Sequence, residues 1–531
     1  MLFNSHRSPV IARNGMVATS QPLAAMSGMK MLMSGGNAVD AAIAAAATLN
    51  VVEPMSTGIG GDLFALIWNA KEKSLKALNA SGRASGSASI EQLHNLGYSS
   101  LPSQSVYGVT VPGTVSGWDT LCNTLGSMPL SELLKPAIEY SSKGYAVSPI
   151  VSRDWNYCLP KLRLYPSGQE FLLDGKAPLP GEIIKLPTLA NSLSLIAEGG
   201  SEAFYRGPIA AAISNHVQSL GGWLTTDDFA NHHITWDDPV STNYRGLTCW
   251  ECPPNSQGLN ALMALNIVEG FDLASSGFQT IRTFHRLIES MRLAFYDGLH
   301  YISDPHKTRV PIGKMLSKSR ASLRRSLISE TTAMTGLSHD LSLADSDTVY
   351  ISAVDSDGNA CSLINSLFQG FGSGIVVPET GIILQNRGTS FSLDRTHPNA
   401  LEPNKRPFHT IIPGMVTKDD QLWLSYGVMG GFHQAQGHLQ VLVNMIDFGQ
   451  DPQTALNTRR FNVNLDDSVT LEQDIPLDII HGLKKMGHNV TDDSGGPGVF
   501  YGGGQIIQRD PDTGVLTAGS EPRKDGCAIG W

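Results

Sequence analysis

At Asp347-Thr348 a polar, small-residue stretch, residues 330–347 (ETTAMTGLSHDLSLADSD), gives way to a strand-like run, TVYISAVD. This junction constrains the chain more than any other feature. The stretch in front has few apolar anchors, so it can leave once the bond ahead of Thr348 is cut. Thr348 would then carry a hydroxyl nucleophile and a free α-amine, one recognised way to activate a weak oxygen nucleophile. Such an amine titrates near about 8, suited to a base at neutral pH. The β-branched side chain has a restricted χ1, so its hydroxyl can be held in one direction. Thr is also common at strand starts for packing reasons alone, and spacing by itself leaves that plainer reading open.

With 531 residues a large core is attainable, and the length allows two to four domains. Charged residues make up 16%, against roughly 25% in average soluble proteins, which with 54 glycines describes close backbone packing rather than disorder. The net charge of −10 has no long like-sign blocks. The basic run 314–325 (KMLSKSRASLRR) reads as a solvated helix face, and the broad basic surface that nucleic-acid binding needs is absent. The six cysteines (122, 158, 249, 252, 361, 527) form no dense framework. Cys249-x-x-Cys252 lacks the second pair or histidines of a zinc site and reads as incidental. No metal or cofactor is expected. The N-terminus shows no apolar signal core and no run of about 18 apolar residues occurs, so a cytoplasmic protein without membrane contact is expected.

Residues 15–20 (GMVATS) predict a strand, and 22–34 a helix with Leu23, Met26, Met29, Leu32 and Met33 on one side. Residues 40–49 (DAAIAAAATL) predict a helix apolar nearly all round, hence buried, with another backbone close against its alanines. The turn-rich STGIGGD (56–62) leads into a strand, LFALIW, so its glycines have the wrong spacing and context for a dinucleotide fingerprint. No phosphate loop GxxxxGK[ST] occurs. Residues from about 127 to 337 read mostly as helices joined by Pro/Gly turns. TVYISAVD and NACSLINSLF flank the turn SDG (356–358), a hairpin signal. GSGIVV, GIILQN and QLWLSYGV add strands, and 437–447 returns to helix. No 20–50 residue repeat is present.

The hydrolase motifs G-x-S-x-G and H-E-x-x-H are missing. Ser27-x-x-Lys30 has S-x-x-K spacing without its K-T-G companion, on a helix where both residues are ordinary. In YGVMGGFH (426–433) a strand runs into Gly430-Gly431, whose successive N–H groups can point at a developing oxyanion; a tight turn is the plainer account. GFGSG (370–374) permits close backbone approach to the hairpin.

Together these segments resemble the γ-glutamyltranspeptidase family of N-terminal-nucleophile hydrolases. The matching motifs run from GMVATSQPLAAMSGMKMLMSGGNAVDAAIAAAATLNVVEPMSTGIGGD through VTVPGTVSGW and MPLSELLKPAIEYSSKGYAVS to DTVYISAVDSDGNACSL, FGSGIVVPETGIILQN and GVMGG. The resemblance implies an α+β, four-layer αββα sandwich and self-cleavage between Asp347 and Thr348. It implies a large chain 1–347, mostly helical with early strands, and a strand-rich small chain 348–531, interleaved in one core; a higher oligomer is left open. It also implies a Thr348 acyl ester, Gly430 and Gly431 as oxyanion donors, and Ser366 as the second hydroxyl beside the nucleophile.

The γ-glutamyl recognition set departs from the family pattern. The arginine that grips a substrate α-carboxylate falls at Ser81, with Arg83 two residues on. An asparagine becomes Phe368, an aspartate becomes Ser390, and a Ser-Ser pair becomes His409-Thr410. Arg387 adds a positive charge within QNRGTSFS. The NRG and KRPFHT segments resemble the oxamate amidohydrolase branch. The expected activity is therefore hydrolysis of a small carboxylate-bearing amide, oxamate-like, with Arg83, Arg387, His409, Thr410 and Phe368 at the substrate. Glutathione hydrolase or γ-glutamyltransferase activity is the alternative, and a non-catalytic, uncleaved binding protein the second.

Overall fold

A computed structural model describes residues 7–336, 346–491 and 501–531, with Ser346 and Asp347 by backbone only. Residues 337–345, most of the expected leaving stretch, lie outside the described residues. Two large antiparallel sheets dominate. Their strands, numbered in chain order, are β1 Val10–Ala12, β2 Met16–Thr19, β3 Asp62–Asn69, β4 Ser74–Ala80, β5 Thr235–Asp237, β6 Val240–Tyr244, β7 Leu247–Glu251, β8 Ser346–Val354, β9 Ala360–Gln369, β10 Gly414–Lys418, β11 Gln421–Met429, β12 Gly503–Arg509, β13 Leu516–Ser520 and β14 Cys527–Gly530. The first sheet runs β14-β2-β8-β9-β3-β4-β5 and the second β1-β13-β12-β11-β10-β7-β6. Each sheet mixes strands from before and after Thr348, so the two segments share one core.

The outer layers are helical. Helices α1 Pro22–Met33 and α2 Ala38–Val52, with α3 Leu130–Lys143 and α4 Pro187–Tyr205, pack on the first sheet. On the second sheet lie α5 Gly258–Val268, α6 Ile281–Tyr301 and α7 His433–Ile446. Between the sheets an apolar layer includes Met16, Phe64, Tyr350, Met415, Met429 and Ile507. This is the αββα sandwich.

Local chemistry explains the central elements. Every residue of α2 is buried, as its alanine-rich run requires, and its three polar residues, Asp40, Thr48 and Asn50, are hydrogen-bonded. Its start is a capping box: Asn37 accepts from the Val39 and Asp40 amides, and Asp40 accepts from the Asn37 amide at 2.8 Å. Asp355, in the turn of the β8–β9 hairpin, accepts from Ala38 N at 3.1 Å. That carboxylate at a helix N-terminus fixes the hairpin against α2.

Two expectations change. The region 127–337 is not only helical, because DPVSTNYRGLTCWE forms β6 and β7 at the edge of the second sheet. Their short, half-exposed residues carry a weak strand pattern. The basic run is not merely solvated, since Arg320 Nη2 lies 2.7 Å from buried Asp297, which also pairs with Arg324. No helix among the described residues is long and apolar enough to cross a membrane.

The sheets approach closely at Gly427, where a Cβ would lie 2.5 Å from the Tyr350 ring. Gly427→Ala is expected to destabilise the protein by about 1–3 kcal/mol, read as a lowered denaturation midpoint.

Candidate active site

Thr348 lies in β8, which pairs with β9 and, from Ile351 onward, with β2, and is fully buried. The β8–β9 ladder slips here: Val349 faces Asn365 but Asp347 faces Phe368. Thr348 therefore stands opposite an extra residue, a bulge that re-aims side chains locally. Its Oγ1 is 3.0 Å from Ser366 Oγ, and Ser366 Oγ accepts from Phe368 N at 2.8 Å. Phe368 takes φ +79°, strained for a side-chain-bearing residue by about 1–3 kcal/mol. The STGIGGD turn backs this pair, since a Cβ on Gly61 would lie 2.3 Å from Ser366 O.

The bent backbone at Phe368 places its ring 4.0 Å from the Arg387 guanidinium. Arg387 is fully buried and donates from Nη1 to Thr410 Oγ1 at 2.8 Å. Its Nε and Nη2 have no partner among the described residues. A buried cation costs several kcal/mol, whereas a cation–π contact contributes about 2 kcal/mol and one hydrogen bond about 1 kcal/mol. The two unpaired nitrogens form the edge that grips a carboxylate bidentately. Burial lowers the Arg387 pKa to about 9, with Asp62 opposing.

Asp62 organises the far wall. Its Oδ1 accepts from Gly82 N (2.9 Å) and Gln385 Nε2 (3.0 Å), and its Oδ2 from His409 Nε2 (3.0 Å). Because His409 donates from Nε2 and accepts from Ile411 N at Nδ1 (3.4 Å), its ring is neutral. Burial, with the Arg387 charge, pushes its pKa down to about 3. His409 thus carries no charge, and its Nε2 is committed to Asp62. Arg83 Nη1 donates to His233 O at 3.0 Å. The buried guanidinium beside Ser81 belongs to Arg406, whose Nε donates to Ser81 O at 3.1 Å.

Gly430 and Gly431 follow β11 with φ +129° and +57°, conformations that favour glycine. Gln257 Nε2 donates to both Gly431 O (2.8 Å) and Thr410 O (2.7 Å). A chain of contacts thus runs from Thr348 through Ser366, Phe368, Arg387, Thr410 and Gln257 to the paired glycines. Sequence reasoning missed Asp62, Gln257 and Arg406. The signal for Asp62 was its place at the end of a glycine-rich turn. Ser390 is buried, and its Oγ has no partner among the described residues. Cys249 and Cys252 are buried free thiols, their pKa values pushed up by burial.

A family model described as gamma-glutamyltranspeptidase matches residues 24–531. The chain belongs to that family. It is similar to the glutathione hydrolase-like YwrD proenzyme of Bacillus subtilis (strain 168), 37% identical over 98% of this chain and 99% of that protein. The oxamate amidohydrolase proenzyme of Klebsiella pneumoniae subsp. pneumoniae is 32% identical over 98% and 99% respectively. The crystal structure of a cephalosporin acylase from Bacillus halodurans matches with a TM-score of 0.94 at 44% identity, covering 100% of this chain and 98% of that one. The γ-glutamyltranspeptidase-family protein described here is an N-terminal-nucleophile amide hydrolase made by self-processing of a precursor.

The Arg387 geometry gives a pH dependence with a definite sign. With its pKa lowered to about 9 by burial, the guanidinium is expected to be charged below about pH 9 and to lose its proton above. Oxalate affinity is expected to hold below pH 9 and weaken as pH rises through it, by about tenfold per unit. Titration calorimetry should show this limb in the wild type and not in Arg387→Met.

Proposed function

We propose that the protein hydrolyses a small amide bearing a carboxylate next to the scissile carbonyl, oxamate or a close analogue, through an acyl ester on Thr348. The buried, half-satisfied Arg387 fork supports this reading most directly. On this reading a short substrate keeps its carboxylate on that fork and presents its carbonyl to the Thr348–Ser366 pair, which the Phe368 backbone and ring link to Arg387. Phe368 and Ser390 stand where the family pattern has an amide and a carboxylate, so an amino-acid ammonium loses polar partners whose absence is costly.

The precursor first cuts itself between Asp347 and Thr348, giving chains 1–347 and 348–531. In the cut form the Thr348 α-amine takes the hydroxyl proton as Oγ1 attacks the substrate carbonyl. Ser366 Oγ donates to the nucleophile oxygen as its charge develops. The backbone N–H groups of Gly430 and Gly431 stabilise the tetrahedral oxyanion, a contribution of about 3–4 kcal/mol per donor in comparable sites. The C–N bond then breaks, the nitrogen takes the proton from the α-ammonium, and ammonia leaves. Water, deprotonated by the same amine, releases the acid from Thr348. Arg387 holds the substrate through both steps, and Asp62 is fixed near it by His409 and Gln385.

Ammonia release from oxamate should exceed glutamate release from glutathione by at least 100-fold in kcat/KM. Glutamate release without oxamate turnover would overturn the proposal in favour of a γ-glutamyl hydrolase. Arg387→Met should lower kcat/KM for oxamate by about 100-fold, the loss expected when one bidentate ion pair is removed.

A further inference from the structure

Gln257, the residue that caps the start of α5, has no part in the mechanism above. It is fully buried. Its backbone N–H donates to His409 O at 2.9 Å. Its side-chain nitrogen spends both hydrogens on backbone carbonyls, those of Thr410 (2.7 Å) and Gly431 (2.8 Å). The amide orientation follows from those two contacts, because the flipped form would set oxygen against two carbonyl oxygens. Its Oε1 then has no partner among the described residues. The side chain that carries this acceptor bridges, through its nitrogen, the second glycine of the pair and Thr410, the residue that holds Arg387. An unpaired buried acceptor awaits a donor.

The groups of the substrate divide unevenly among these partners. Its carboxylate only accepts, and Arg387 serves it. Its carbonyl oxygen only accepts, and the glycine N–H groups serve it. The N–H of the scissile amide is the one donor left. We infer that Gln257 is a specificity-determining residue whose Oε1 accepts a hydrogen bond from the scissile amide nitrogen, selecting amides over esters of the same acid. The inference rests on the acyl-transfer reading of Thr348 but not on the identity of the acyl group. Holding one N–H on Gln257 turns the nitrogen lone pair towards the Thr348 α-ammonium. When the tetrahedral adduct collapses, the C–N bond breaks and that lone pair takes the ammonium proton, so ammonia leaves neutral and the amine is restored.

The test compares an amide and an ester that deliver the same acyl group: oxamate and monoethyl oxalate. Gln257→Met removes the acceptor and also the two supports to Thr410 and Gly431. General damage from lost supports lowers both substrates alike, whereas loss of the acceptor lowers only the amide. The amide-to-ester ratio of kcat/KM should therefore fall by about 10- to 100-fold in the variant. A ratio unchanged within threefold overturns the inference. Should wild type fail to cleave oxamate, the substrate proposal fails, and glutamine against the γ-methyl ester of glutamate poses the same question. If the variant does not fold, wild type is assayed with N,N-dimethyloxamate, which has no N–H. Turnover at least 10-fold below oxamate, after correction for their relative alkaline hydrolysis rates, supports the role, and turnover within threefold overturns it.

Discussion

The pairing of Ser346–Val354 with Ala360–Gln369 is the constraint on which the rest of the site depends. It sets Thr348, itself buried, in a strand paired with Ala360–Gln369 along its length and with Met16–Thr19 from Ile351 onward, so a cut ahead of this residue creates a chain terminus at a buried strand. The register slip between Asp347 and Val349 places Ser366 beside Thr348 and turns Phe368 into a positive φ. One irregularity in one hairpin thereby arranges the nucleophile, its neighbouring hydroxyl and the aromatic floor under Arg387.

The electrostatics follow from burial. Arg387, Asp62 and His409 are all removed from water, and their charges are settled by each other. His409 stays neutral because both ring nitrogens are committed. Asp62 has three donors on its two oxygens. Arg387 is left with one hydrogen bond and an aromatic ring. Of the three, Arg387 alone keeps side-chain nitrogens without a partner among the described residues.

Much of the framework was legible in the sequence. The alanine run of α2, the SDG hairpin and the paired glycines each carry a local signature, of composition, turn chemistry or spacing. The edge strands β6 and β7 do not, because short half-exposed strands take their identity from the sheet they join. Arg387 was readable as a charge near the site, but its unpaired edge was not, since that depends on which neighbours fail to reach it. The partners of Arg83 and His409, His233 and Asp62, were unreadable for the same reason, since they come from distant segments. Gln257 and Arg406 carry no motif, and their positions follow only from tertiary contacts with Thr410, Gly431 and Ser81.

The central claim is that Thr348 becomes the nucleophile only after the chain cuts itself in front of it. Intact-mass spectrometry of wild type and Thr348→Ala, with and without substrate, tests this most directly. The account predicts chains 1–347 and 348–531 in the wild type, an uncut chain in the variant, and a transient acyl adduct on Thr348 in the small chain. An active wild type that remains a single chain, or that is cut elsewhere, would contradict it.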